Sequence, residues 1–181
     1  MPTRPEEIWR YYDRATASFE ITSTLFDRPE IAPLIPPASD FFALTPVELS
    51  EVLREMAEEL DLEVSLALVA SFEAILREDF LLRTSEAGNG ILNVRLAALR
   101  DRLGERTALE DLLDVWKEAY PDAGKAVGEF KQVVQFRHWL AHGRQGYQKG
   151  FAGFDPWVVR RRASAVQSSI LDIPMLVDWE S

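Results

Sequence analysis

Cysteine is absent from this 181-residue chain, and histidine occurs only twice. Without cysteine there is no disulfide framework, no thiolate nucleophile and no cysteine-ligated zinc. Long apolar runs are also missing. The most apolar stretch, around Val64–Leu76, carries Ser65, Ser71 and Glu73. It is shorter than a membrane-spanning helix requires and reads as a buried core helix. The opening residues, Met-Pro-Thr-Arg-Pro-Glu-Glu, lack the apolar centre of a signal peptide. Phosphate-loop and dinucleotide glycine fingerprints are absent, and so is a Gly-x-Ser-x-Gly elbow; Gly88-Asn89-Gly90 is a turn. These absences lead us to expect a cytoplasmic protein with no membrane association.

What is present is helical. A chain of this length suits one compact domain, residues 1–181. Such a domain buries roughly 70% of its unfolded surface and needs no covalent staples. Thr3 precedes Pro5-Glu6-Glu7, a helix start with acids in the first turn. Ile8, Tyr12, Ala15, Phe19, Thr22 and Phe26 then recur at three- and four-residue steps. Residues 27–44 hold Pro29, Pro33, Pro36 and Pro37 and are expected to form an extended connection. Thr45-Pro46-Val47-Glu48 is a capping box, followed by a helix with Leu49, Val52, Leu53, Met56 and Leu60 inward. A more apolar central helix is expected from Asp61 to about Arg83.

Further helices are expected at about Ile91–Leu103, stopped by Gly104, and after a second capping box at Thr107–Glu110. Another runs from about Asp122 to His142, and the last from Asp155-Pro156 to about Leu171. Residues 143–154 read as a glycine-rich loop, and 172–181 as a tail. No alternating strand pattern of useful length appears. The expected fold is an all-α, single-domain bundle of about five to seven helices.

The net charge is −10, yet its distribution is uneven. Residues 125–162 carry eight Lys or Arg against two acids, net +6, while the remainder carries twelve against twenty-eight, net −16. A basic segment on an acidic body can hold an anion locally. Both histidines lie in that segment, within Arg137-His138-Trp139-Leu140-Ala141-His142. Arginine offers a permanent planar cation, and histidine a proton that moves near neutral pH. Five residues apart, Arg137 and His142 stand roughly 140° around an ideal helix and do not share a face. A two-fold dimer could bring both copies of the segment into one cleft.

Arg-x4-His, with a polar residue after the Arg and Ala before the His, resembles the signature of HEPN domains. The resemblance implies an all-α bundle of about this length, and so could cover most of the chain. It implies a homodimer whose shared cleft is lined by the motif. The activity it implies is metal-independent endoribonuclease chemistry, as in toxin–antitoxin and antiviral defence systems, with a candidate antitoxin or nucleotidyltransferase partner. No cofactor is expected. Glu73-Ala74-Ile75-Leu76-Arg77 is similar to the Glu-x3-Lys/Arg pair that some of these families add in an earlier helix. A Tyr two residues after the His is also found in some, and Arg144 stands there instead, with Tyr147 further on.

The chemistry of the residues fits that activity. Internal RNA cleavage needs a base for the 2′-OH, stabilisation of charge at phosphorus and an acid for the leaving oxygen. His142 can do the proton work, and Arg137 can neutralise the phosphorane through paired donors. The expected product is a 2′,3′-cyclic phosphate. The bland alternative is that Arg137 pairs with an acid and His142 satisfies the helix end. Glu73 falls between Val69 and Leu76 on an apolar stripe and needs a partner: Arg137 or His142, or more blandly Arg77 or solvent at a helix edge. His138 is expected to orient Arg137 or contact RNA. His138, His142 and Glu73 could also ligate a metal, but no HExxH pattern supports it, and none is expected. Arg144, Lys149, Arg160, Arg161 and Arg162 are the expected RNA-binding cations, with Phe151, Phe154 and Trp157 beside them. For Trp157 and Phe154 the core is the expected place. Two other readings stay open: a non-catalytic HEPN-like module that binds RNA, a nucleotide or a protein, and a helical interaction protein whose acidic body mimics nucleic acid.

Overall fold

The structure, a computed structural model, describes residues 4–26, 28, 30–31, 34–37, 39–85, 90–105, 107–142, 151 and 153–170. Among the described residues there are six α-helices and no strand: α1 (Pro5–Phe26), α2 (Pro46–Ser85), α3 (Ile91–Leu103), α4 (Leu109–Ala119), α5 (Gly124–Ala141) and α6 (Pro156–Ile170). A 3-10 turn at Pro121–Ala123 leads into α5. The fold is the all-α bundle expected from the periodicity. None of these helices is long and apolar enough to cross a membrane. Thr3, Gly88, Asn89, the glycines at 143, 146 and 150, and the tail at 172–181 lie outside the described residues.

Three local expectations are corrected. The two helices expected over residues 46–83 are one helix of 40 residues, about 60 Å long. No Gly or Pro interrupts it after Pro46, so the change in hydrophobic pattern near Asp61 alters which faces are buried, not the backbone. The proline-rich connection is not extended where it is described. Backbone N–H groups of Arg28, Ile31, Leu34, Ser39 and Phe42 each donate to the carbonyl three residues earlier, giving successive tight turns. The second capping box does not form. The helix starts one residue later, with Ala108 at its N-cap and no side-chain cap. The Thr107 hydroxyl turns back and donates to the Gly104 carbonyl at 2.6 Å.

The first capping box does form. The Thr45 N–H and hydroxyl both donate to Glu48 Oε2 at 2.8 Å, and the Glu48 N–H donates to Thr45 Oγ1 at 3.3 Å. Those two donors hold the Glu48 carboxyl below its ordinary range. At the far end of α3, Gly104 takes φ +81°, a left-handed region that disfavours any side chain.

Contacts divide the described residues into two compact units, residues 4–64 and 65–170, with the boundary inside α2. In the first, Ile8, Trp9 and Tyr12 of α1 and Leu49, Leu53 and Leu60 of α2 are buried. The Tyr12 hydroxyl donates to Asp61 at 2.8 Å, tying the two helices by a polar contact. In the second, α5 packs against α4 and α6, and α3 against α4. Its core includes Leu68, Val69, Phe72, Phe80, Leu96, Leu112, Leu113, Trp116, Val127, Phe130, Val133, Val134, Phe136 and Ile170. Arg137, His142, Glu73 and the α6 arginines all belong to this second unit.

Candidate functional site

The late helix α5 presents the Arg137–His142 segment. Val127, Phe130, Val133, Val134 and Phe136 are its buried positions, so its orientation is fixed by the core. Phe136 then stacks on Trp139, at 5.9 Å between centroids and 21° between planes. Phe151 and Phe154 close the cluster: Phe154 lies 5.0 Å from Phe136, and Phe151 lies 5.8 Å from Trp139. These four rings hold residues 151 and 154 against the last turns of α5. Phe154, expected in the core, is half-buried in this cluster, as is Phe151.

Arg137 leaves α5 next to Phe136 and meets the α2 carboxylate of Glu73. Its Nη2 lies 3.6 Å from Glu73 Oε2. The other carboxylate oxygen, Oε1, accepts from Arg77 Nε at 3.0 Å and Nη2 at 2.9 Å. Arg77 Nη1 in turn donates to the Thr107 carbonyl at 2.9 Å. Glu73 therefore holds two guanidinium groups, and of the alternatives for its partner Arg137 and Arg77 are found together. The Glu73 side chain keeps 16% of its exposure and Arg137 keeps 33%, so the pair sits at the edge of the core, partly open to solvent. Arg137 Nε is buried with no hydrogen-bond partner.

His138 turns away from Arg137, toward α4. Its Nδ1 lies 4.0 Å from Glu110 Oε1, close enough for an ion pair when the ring is protonated. Sequence reasoning assigned Glu110 to a helix cap and so missed it here. The signal that could have found it is the same acid, in the first turn of α4, a helix packed against α5. His142 is the C-cap of α5, with φ −92° and ψ 23°, outside helical geometry. Its N–H donates to the His138 carbonyl at 3.1 Å, and the residue is exposed. Thus Glu73, Arg77 and Arg137 come together, His138 joins Glu110, and His142 stands in solvent at the helix end. Among the described residues, no three His, Asp or Glu side chains group as a metal site.

The expected RNA-binding cations divide. Arg144 and Lys149 lie outside the described residues. Arg162 is built into the packing: its guanidinium sits 4.7 Å over the Phe154 ring, and Nη1 donates to Gln132 Oε1 at 2.9 Å. The same Nη1 reaches the Glu129 carbonyl at 3.4 Å. Lys131, also in the basic window, is paired with Asp114 of α4. Arg160 and Arg161 line an open concavity of about 470 Å³ with Trp157, Val158 and Ser164. Trp157 is 60% exposed rather than buried in the core, because the inward positions of α6 are taken by Val159, Ala163, Val166 and Ile170. Compared with family models, with curated proteins and with solved structures, the chain matches none.

Proposed function

We propose that this chain is a HEPN-like, metal-independent endoribonuclease acting as a homodimer, a toxin or antiviral defence effector. The observation that carries the reading is the pairing of Arg137 with Glu73, beside Arg77, on a late helix that ends at an exposed His142. Glu73 anchors the guanidinium without covering it, so the remaining donors can meet a phosphate. In the proposed reaction His142 moves protons: it removes one from the 2′-OH, which attacks phosphorus in line as the bond to the 5′-oxygen breaks. Arg137 stabilises the charge on the non-bridging oxygens. The leaving oxygen takes a proton from the second His142 of the dimer, and the products are a 2′,3′-cyclic phosphate and a 5′-hydroxyl. His138, facing Glu110, supports the segment rather than reacting.

The test is cleavage of RNA in EDTA with analysis of the ends formed. His142→Ala is expected to lower the rate at least a hundredfold, the ordinary range for losing a general acid–base group, with the helical circular dichroism unchanged. Cleavage at the wild-type rate by that variant overturns the proposal. A second reading, a non-catalytic HEPN-like binding module, is favoured by the carboxylate that Arg137 already has. RNA binding without cyclic-phosphate product across varied RNAs decides for it.

A further inference from the structure

We propose that the link between α3 and α4, at Gly104 and Thr107, sets the orientation of Arg137 through Arg77, which acts as a positioning residue. Arg77 meets Glu73 unevenly. Its Nε and Nη2 both donate to Oε1, at 3.0 and 2.9 Å, and Oε2 is left facing Arg137 Nη2 at 3.6 Å. The third nitrogen, Nη1, donates to the Thr107 carbonyl at 2.9 Å, thirty residues along the chain. A guanidinium is planar and rigid, so holding Nη1 on Thr107 fixes which oxygen the other two nitrogens reach. That carbonyl is itself held. Thr107 is buried, and its hydroxyl donates to the Gly104 carbonyl at 2.6 Å. Gly104, the C-cap of α3, takes φ +81°.

The consequence falls on Arg137. A carboxylate and a guanidinium without other partners pair side by side through two parallel hydrogen bonds. Such a pair would occupy the donors that the endoribonuclease reading, on which the catalytic part of this inference rests, gives to phosphate. Arg137 instead stays loosely paired: Nη2 is 3.6 Å from Oε2, and Nε has no hydrogen-bond partner. Arg77 thus keeps Glu73 close enough to place Arg137 and too engaged to close on it. The α3–α4 link makes this possible by taking Nη1.

The direct readout is the Nε–H signal of Arg137 in a proton–nitrogen correlation spectrum of the full chain, identified by its loss in Arg137→Lys. Arg77→Lys keeps the charge but replaces a three-nitrogen fork by one nitrogen. It is expected to move the Arg137 signal to lower field, as Nε–H gains a Glu73 oxygen. It is also expected to lower kcat for RNA cleavage in EDTA by up to about a hundredfold with KM within about threefold, as for a displaced transition-state contact. Thr107→Val removes only the hydroxyl tie to Gly104, and moves the signal the same way with a smaller fall in kcat. In the Arg77→Lys background Thr107→Val adds nothing, because the relay is already broken. An unmoved Arg137 signal in Arg77→Lys overturns the relay. So does a Thr107→Val effect equally large in both backgrounds, which marks plain loss of packing. Where Arg77→Lys loses its helical circular dichroism, Thr107→Val alone decides, since it keeps every charge: an unmoved signal in it overturns the relay. Moved signals in both variants with no RNA cleavage by wild type keep the relay and overturn the endoribonuclease. Cleavage by wild type with unmoved signals in both variants does the reverse.

Discussion

Glu73 is a carboxylate on a helix position flanked by Val69 and Leu76, both buried. A charge there is tolerable only with partners, and it has two guanidinium groups. Glu73→Gln keeps the size and removes the charge facing both. The expected loss is about 1–3 kcal/mol, the range for hydrogen bonds to a charged group left without its counterpart, read as a lower urea midpoint. An unchanged midpoint means the pair is solvated and does not hold Arg137. Asp79 poses the opposite problem. It is buried and pairs with Arg83, whose Nε lies 2.7 Å from Oδ2. Burial pushes its carboxyl above the ordinary value of 3.8, and the Arg83 guanidinium only partly offsets this. A raised folded value favours the protonated native state. The contribution to stability is therefore present below 3.8 and is lost as pH rises toward the folded value. The stability of wild type relative to Asp79→Asn is expected to fall over that window. A relative gain with rising pH would show that Arg83 outweighs burial.

At the scale of elements, α2 depends on its first turn. The reciprocal Thr45–Glu48 box satisfies donors that a 40-residue helix otherwise leaves to water. Thr45→Ala is expected to cost about 1 kcal/mol, checked by the shift in thermal midpoint; a shift of zero would mean that water caps the helix as well. The same four-residue pattern at Thr107–Glu110 was equally legible and did not become a box. There the Gly104 turn offers a nearer acceptor to Thr107, and the packing of α4 on α5 brings Glu110 to His138. A neighbouring turn and one tertiary partner thus outcompeted the box. In α6 the run Arg160-Arg161-Arg162 reads as one charge block. A helix turns about 100° per residue, so the block splits: Arg162 goes to Phe154 and α5, and the other two line the concavity.

For the whole molecule, the proposed dimer sets a mass. Light scattering on the purified chain is expected to give twice the 20.6 kDa of one chain. A monomer that still cleaves RNA would remove the shared cleft from the mechanism. The basic window of net +6 overstated the free positive surface, because Lys131, Arg137 and Arg162 are engaged by Asp114, Glu73 and the α5–Phe154 packing. Sequence by itself determined the helical class, the α3 stop at Gly104, the α2 cap and the need of Glu73 for a partner. Each follows from periodicity, backbone preference or the cost of a buried charge, and these are local. Only the tertiary structure decided that α2 is continuous, that Glu73 holds Arg77 and Arg137 together, that His138 faces Glu110, and that Trp157 is exposed. Those outcomes depend on which helix faces meet, and a face is allotted by the competition of all apolar side chains for one core.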